Sequence, residues 1–362
     1  MAVERPILIA TRGSALALAQ ANFVVAECRR IFPRLRFELK IIKTTGDKLQ
    51  TASLSKVGDK LPKGLFTKEL EVALVKGQAD MAVHSLKDLP TELPSGLMLA
   101  ATPKREDVRD VLIYRSADFL AAQRSTLNAQ QDWSPGQSDL RGFQPHMKLK
   151  DFPKGATIAT SSTRRKMFLL AARPDLNIIE IRGNVPTRLQ KVAERGELDA
   201  TVLALAGLRR LNFEIVEDGA ERGQLVREFS DARTSRPRSG RLTGDAVPDG
   251  LLATVLDLDV MLPCVGQGAI GIETRADDGR IAPIVARLNH FNTFHAITAE
   301  RAFLRGMGGG CQSPVGAHAE ISGAQILLKA ISFRDETVKR GEGKRPLAEA
   351  ALLGEQIAAE LK

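Results

Sequence analysis

Through the first two-thirds of the chain, short apolar runs alternate with stretches whose apolar residues recur every three or four positions. The runs Ile7–Ala10, Phe37–Ile42, Met81–Val83, Thr157–Ala159, Ile178–Ile181 and Thr201–Ala204 predict buried strands. The longer stretches Ala15–Arg30, Phe66–Lys76, Arg165–Ala172 and Thr187–Arg195 predict helices. Such alternation predicts an α/β architecture with mainly parallel strands. One pattern occurs twice. Lys76-Gly77-Gln78-Ala79-Asp80 precedes Met81-Ala82-Val83, and Arg195-Gly196-Glu197-Leu198-Asp199 precedes Ala200-Thr201-Val202-Leu203. Each reads as a helix end, a glycine stop, an aspartate turn and a buried strand, so two similarly built α/β halves are expected.

The pattern changes after Phe291. A helix over Thr298–Arg305 meets Gly308-Gly309-Gly310, then strand-like Val315–Ile321 and Ile326–Phe333, then a closing helix over Leu347–Leu361. This predicts a small α+β C-terminal domain. Two segments read as loops or excursions: Ser116–Lys150, which includes Trp133-Ser134-Pro135-Gly136, and the arginine-rich Glu214–Asp249.

Composition narrows the function classes. The 362 residues are 43% hydrophobic and 26% charged, enough for two or three domains with sizeable cores. The formal net charge of +9 suits an anionic partner. Aromatic residues make up only 4%, which disfavours sequence-tolerant single-strand binding by stacked bases and leaves a small polyanion open. The three cysteines, Cys28, Cys264 and Cys311, form no C-x-x-C pair, so neither a zinc site nor a disulfide framework is expected, and a reducing compartment fits. The segment before Ile7 does not read as a signal peptide, and no apolar run is long enough for a bilayer.

Four junctions at the ends of predicted strands carry chemistry. They are Thr11-Arg12-Gly13-Ser14, His84-Ser85-Leu86-Lys87-Asp88-Leu89-Pro90, Thr160-Ser161-Ser162-Thr163-Arg164-Arg165, and Arg182-Gly183-Asn184-Val185-Pro186-Thr187-Arg188. Ligands of open parallel sheets bind beyond the carboxyl ends of strands. Helix N-termini offer free N–H groups there, and guanidinium forks match carboxylates. The hydroxyls also serve as ordinary helix caps. Arginine is not needed for capping and would oppose the helix dipole, so hydroxyls with arginine at three junctions point to a polyanion site. Asp88, in basic surroundings, suits a substrate that passes through a cation; its structural alternative is a turn residue before Pro90. Cys311 follows three glycines that would let the backbone move and expose the thiol, and is the candidate for a covalent role. Cys28 reads as a packed core residue. The basic stretch Lys56-Val57-Gly58-Asp59-Lys60-Leu61-Pro62-Lys63-Gly64 reads as a lid or an ordinary loop.

Eight runs occur in the order found in one family: Thr11–Ala17, Lys63–Glu71, His84–Pro90, Thr160–Arg165, Arg182–Arg188, Ala206–Leu211, Val265–Ala269 and Gly309–Gln312. Together they make the chain similar to the porphobilinogen deaminase (hydroxymethylbilane synthase) family from end to end, apart from residues 116–150 and 214–257, which read as insertions. The resemblance implies an α/β fold. Two periplasmic-binding-protein-like α/β domains with a central cleft are joined by a small α+β C-terminal domain. The boundaries expected are 1–108 with 263–288, then 109–262, then 289–362.

The resemblance also implies that Cys311 holds a dipyrromethane cofactor through a thioether. Porphobilinogen units are added to it one by one with loss of ammonia, and hydroxymethylbilane is released by water. Asp88, with Lys87, is then catalytic, stabilising the cation left by ammonia and moving the coupling proton. Arg12, Ser14, Lys63, Ser85, Thr160, Ser162, Arg164, Arg165, Arg182, Arg188 and Arg210 bind carboxylates of cofactor and substrate. Phe66 packs on a pyrrole, and Lys56, Lys60 and Lys63 remain alternatives for the lid role. A cytoplasmic, monomeric transferase of tetrapyrrole and haem biosynthesis is implied, with no metal, nucleic acid or membrane. The rival reading is a two-lobed small-anion solute-binding or sensing protein, which accounts for a cleft but not for Cys311.

Overall fold

The computed structural model describes residues 5–45, 67–130 (backbone alone at 126–130), 140–217, 238–310, 313–334 and 337–362. Strands β1 (Ile7–Arg12), β2 (Phe37–Ile42), β3 (Met81–Ser85) and β4 (Leu97–Ala101) alternate with helices α1 (Ala15–Ile31) and α2 (Lys68–Val75). Next come β5 (Asp110–Arg115), α3 (Ala117–Gln130), β6 (Thr157–Ala159), α4 (Thr163–Ala172), β7 (Asn177–Ile179) and α5 (Val185–Glu194). They are followed by β8 (Ala200–Ala204), α6 (Leu205–Arg210), β9 (Glu214–Val216), β10 (Ser239–Thr243) and β11 (Leu251–Val255). The chain closes with β12 (Ile270–Arg275), α7 (Ala282–Leu288), α8 (Phe291–Gly306), β13 (Val315–Ser322), β14 (Gln325–Ser332), β15 (Lys339–Pro346) and α9 (Ala350–Leu361).

The first sheet has the order β2-β1-β3-β12-β4, and the second begins β7-β6-β8-β5-β11 before ending in β10 and β9. In the first, β1 runs parallel to β2 and β3, and β12 runs antiparallel to β3 and β4. In the second, β6 runs parallel to β7 and β8, and β5 runs antiparallel to β8 and β11. Over these five strands order and direction repeat, each set with one antiparallel strand brought in from elsewhere in the chain. The two large sheets with their helices, and a third sheet of β13, β14 and β15 under C-terminal helices, give the α/β class with a smaller α+β part that the chain pattern predicts. The chain divides into two compact units, Met1–Val108 with Leu262–Lys362, and Arg109–Met261.

The repeated sequence pattern marks the same device in both sheets. Asp80 N–H donates to Leu8 O at 2.8 Å, and its carboxylate accepts Leu8 N–H at 2.8 Å. Asp199 does the same with Thr157, at 2.9 and 2.8 Å. Each buried carboxylate also meets an arginine, Arg5 at 2.9 Å and Arg141 at 2.6 Å. Each aspartate thus locks the entry of its strand to a parallel neighbour. The glycines differ. Gly77 is left-handed (φ 64°) and ends α2 with Gln78 N–H on Ala73 O. Gly196 is not left-handed, because α5 ends on an extended Arg195.

Other expectations need correction. Ser116–Lys150 opens with α3, and Glu214–Asp249 contributes β9 and β10 to the second sheet; Trp133–Gly136 and most of the arginine run lie outside the described residues. Helix α8 begins at Phe291 rather than near Thr298, capped by the His290 ring, which accepts Thr293 N–H at 3.3 Å. Strand β15 has no apolar inner face to betray it. Its Gly341 and Gly343 make room for Ile357, Leu361 and Leu353 of α9, which supply the core from the other side. No helix among the described residues is long and apolar enough to cross a membrane.

Candidate functional site

Strands β1 and β3 are parallel neighbours, Ala10 facing Ala82, so their carboxyl ends lie side by side. This brings Arg12 and Ser14, which leave β1, against Ser85 and Asp88, which leave β3. The four line one pocket together with Gln20 of α1 and His84 of β3. Ser14 caps α1, accepting Ala17 N–H at 3.3 Å, as the bland reading of the hydroxyl expected. Ser85 Oγ donates to Gln20 Oε1 at 2.9 Å. Gln20 Nε2 is buried in the pocket wall with no acceptor among the described residues, a donor that asks for a ligand oxygen. Behind the wall, His84 Nε2 lies 2.9 Å from Glu273 Oε2, both side chains buried. Burial raises the Glu71 carboxyl above its ordinary range, and the nearby Glu273 charge adds to the rise.

Lys87 and Asp88 belong to a single 3-10 turn, Leu86–Asp88, both half-buried. Leu86 N–H donates to Ala269 O at 3.1 Å, and Leu89 N–H closes the turn on Leu86 O at 3.1 Å. The glycines of Val265-Gly266-Gln267-Gly268-Ala269 now have a cause. Gly266 (φ 74°) lies flat on the turn, where a Cβ would stand 3.2 Å from Leu86 C and Lys87 N. At Gly268 (φ 81°) a Cβ would lie 2.6 Å from Glu106 O.

The remaining arginine junctions lie in the other unit. Ser162 caps α4, accepting Arg165 N–H at 3.4 Å, and Thr160 Oγ1 accepts Ser162 N–H at 3.2 Å. Arg164 and Arg165 are buried and share one carboxylate. Arg164 donates to Asp110 Oδ2 at 2.7 Å, and Arg165 donates to Asp110 Oδ1 at 3.1 and 2.7 Å and to Val202 O at 2.8 Å. Burial pushes the Asp110 carboxyl up, but the two guanidiniums outweigh it and hold it below its ordinary value. Asp110 was missed because it lies 54 residues before Arg164 and only sheet pairing places it at the helix end.

Arg188 differs from these two. It donates to Gly183 O at 2.8 Å and, among the described residues, pairs with no carboxylate. Burial, with the Arg165 charge added, lowers its pKa to about 10. A desolvated cation of this kind is stabilised by an incoming anion. Asn184 caps α5 by accepting Thr187 N–H at 3.0 Å, and Pro186 sits in the first turn as expected. Arg182 is exposed beside Glu180 at 3.3 Å, and Arg210 ends α6, half-buried.

Lys56, Lys60, Lys63, Phe66 and Cys311 lie outside the described residues. The approach to Cys311 is described. Gly308 (φ 75°) and Gly309 end α8, with Gly309 N–H on Leu304 O and Gly308 N–H on Arg305 O, both 2.9 Å. A Cβ at Gly309 would stand 2.5 Å from Leu304 O. These two glycines make a tight helix stop. Cys28 is fully buried, which pushes its thiol up to about 12, in line with a packing role.

Comparison with known proteins identifies the family. A family model described as "Porphobilinogen deaminase, dipyromethane cofactor binding domain" matches residues 7–225, and one described as "Porphobilinogen deaminase, C-terminal domain" matches residues 294–362. Proteins named porphobilinogen deaminase are similar over nearly the whole chain. That of Chlorobium luteolum is 40% identical, covering 99% of this chain and 95% of the relative. That of Chlorobaculum tepidum is 41% identical over 98% and 94%, and that of Carboxydothermus hydrogenoformans 38% over 99% and 94%. With one family model matching more than half of the chain, a second matching the C-terminal sheet, and relatives this similar along both chains, the chain belongs to the porphobilinogen deaminase family.

Proposed function

We propose that the chain is a hydroxymethylbilane synthase, joining four porphobilinogen units head to tail with loss of ammonia at each step and releasing the linear product with water. The observation that carries this reading is the pocket where Arg12, Ser14, Ser85 and Asp88 meet beside Gln20 Nε2, which has no acceptor among the described residues. A pyrrole bearing acetate and propionate arms offers carboxylate oxygens to Arg12 and Gln20, and its ring N–H to Asp88. Departure of ammonia leaves a cation spread over the substrate ring. Asp88 stabilises that charge and accepts the proton lost on coupling, and Lys87 beside it orients a carboxylate.

The cofactor reading fits the same chain. Arg188 is a desolvated cation with no carboxylate partner among the described residues, Ser162 and Thr160 place further polar groups at a helix start, and α8 ends five residues before Cys311. The dipyrromethane, when bound through Cys311, supplies the free pyrrole carbon to which the first unit is joined. Arg12, Lys63, Arg182, Arg188 and Arg210 would neutralise the carboxylates that accumulate, with Phe66 against a ring, while Arg164 and Arg165, sharing the single Asp110 carboxylate, leave one net positive charge at the start of α4. Within this reading the protein is a monomeric cytoplasmic transferase of three domains, acting in tetrapyrrole biosynthesis.

Intact mass tests the tether. Protein expressed with porphobilinogen available should exceed its chain mass by one dipyrromethane, and Cys311→Ser should remove the excess. An unmodified wild-type mass would sink the reading. Asp88→Ala should abolish ammonia release while leaving circular dichroism unchanged. Porphobilinogen binding without ammonia release by the wild type would instead indicate a binding protein.

A further inference from the structure

The turn that carries Asp88 is short, and much of what holds it comes from α8. Ile297 of α8 is buried in one cluster with Leu86, Leu89 and Ala269. One helical turn further on, Arg301 donates from Nη1 to Leu89 O at 3.1 Å and from Nη2 to Pro90 O at 2.6 Å. Between them, Glu300 Oε2 accepts Gly266 N–H at 2.9 Å, fixing the glycine that lies flat on Leu86 and Lys87. Residues three and four apart share a helix face, so Ile297, Glu300 and Arg301 address the turn as one surface.

Arg301 is half-buried and, among the described residues, bonds these two carbonyls and no carboxylate. Burial, with the Arg305 charge added, lowers its pKa to about 10, so the protein bears a desolvation cost to keep a guanidinium here. Two successive carbonyls match the spacing of a guanidinium fork, whereas an ammonium reaches one at a time. The same helix ends at Gly306, five residues before Cys311.

We propose that Arg301 is a positioning residue for Asp88, so that the helix leading to Cys311 also fixes the turn bearing the catalytic carboxylate. The inference rests on the hydroxymethylbilane synthase reading and adds to it a residue that touches neither substrate nor cofactor. Anchoring of the primer and placement of Asp88 then depend on one element. Loosening the clamp misplaces the carboxylate without emptying the pocket of its carboxylate-binding groups. The cost falls on kcat, while KM is largely preserved.

The test compares wild type, Arg301→Ala and Arg301→Lys as full-length protein carrying dipyrromethane, with loading read by intact mass and turnover by hydroxymethylbilane formation. In loaded Arg301→Ala, kcat should fall about a hundredfold with KM within about threefold of wild type. Arg301→Lys should not restore it. Methylguanidinium, which can enter the vacated slot, should recover part of kcat in Arg301→Ala and none in Arg301→Lys. A loaded Arg301→Ala with kcat within about twofold of wild type overturns the inference, as does a rise in KM at unchanged kcat. So does a fall in melting temperature with unchanged turnover per loaded molecule. If Arg301→Ala does not fold, Arg301→Lys decides by the same kcat and KM criteria. Wild type that neither carries the adduct nor makes hydroxymethylbilane sinks the functional reading itself. Active wild type with equally active variants sinks only the role of Arg301.

Discussion

Replacing Glu300 with glutamine tests how much of the first unit rests on one buried charge. The Glu300 side chain is fully buried, and among the described residues its oxygens take four donors. Arg105 gives two, at 2.6 and 2.9 Å; Gly266 N–H and Ala319 N–H give the others, at 2.9 and 3.0 Å. These donors come from the segment after β4, the segment before β12, and β13, so the carboxylate joins three parts of the chain. Burial pushes its pKa up, but Arg105 and His318 together more than offset this, and the group titrates at about 2 instead of 4.5. His318 Nδ1 lies 3.7 Å away and adds to the lowering.

A folded-state pKa below the unfolded one stabilises the protein above pH 4.5, and that stability is lost as pH falls toward 2. The difference of about 2.5 pH units, at about 1.4 kcal/mol each, gives about 3 kcal/mol. Glutamine keeps the shape but leaves Arg105 without its counter-ion and turns one acceptor into a donor facing a backbone N–H. Breaking a buried pair from one side costs about 3–5 kcal/mol. In urea denaturation at pH 7, Glu300→Gln should therefore be less stable than wild type by about 3–5 kcal/mol. At pH 3 the gap should shrink by about 2 kcal/mol, because wild type has by then lost most of the ionic contribution. A gap below about 1 kcal/mol at pH 7, or one that does not change between pH 7 and pH 3, would refute the reasoning.

Two further predictions follow from neighbouring contacts. Arg165→Leu should destabilise by about 3–5 kcal/mol, because Asp110 loses half its compensation, whereas Arg188→Leu should be neutral or stabilising since it removes a desolvated cation; parallel urea titrations check this, and equal losses would contradict the distinction between a structural and a ligand-facing arginine. Gly266→Ala places a side chain at φ 74° against the Leu86–Lys87 backbone, so it should lose about 1–2 kcal/mol and reduce turnover more than porphobilinogen binding; kinetics with unchanged kcat would show that the turn tolerates the push.

Much of the fold was legible because strand and helix periodicity is a local property. Phe37–Ile42 and Thr157–Ala159 are strands with the bounds the apolar runs predict, and Ala15–Arg30 falls one residue short of its helix. The elements that escaped had their pattern supplied by a neighbour. Strand β15 offers glycines where a sheet normally offers apolar side chains, since α9 fills the space. Helix α3 hides in a polar segment whose composition resembles a loop. The repeated aspartates, Asp80 and Asp199, were visible as an echo, but their shared hydrogen bonding to Leu8 and Thr157 was not.

By itself the sequence determined the class of fold, the family, the positive charge and the strand-end residues Arg12, Ser14, Ser85, Lys87 and Asp88, because each of these is written in residue type and short-range order. Only the tertiary structure decided which groups meet. It seated Gln20 and His84 in the pocket, gave Arg164 and Arg165 to Asp110 while leaving Arg188 without a carboxylate among the described residues, and set Arg301 under the Asp88 turn. Such pairings depend on strand register and helix packing that join residues tens to hundreds of positions apart, and burial then fixes what each charge costs. Local sequence carries neither distance nor burial, so it names the chemical groups without saying which of them the protein itself neutralises.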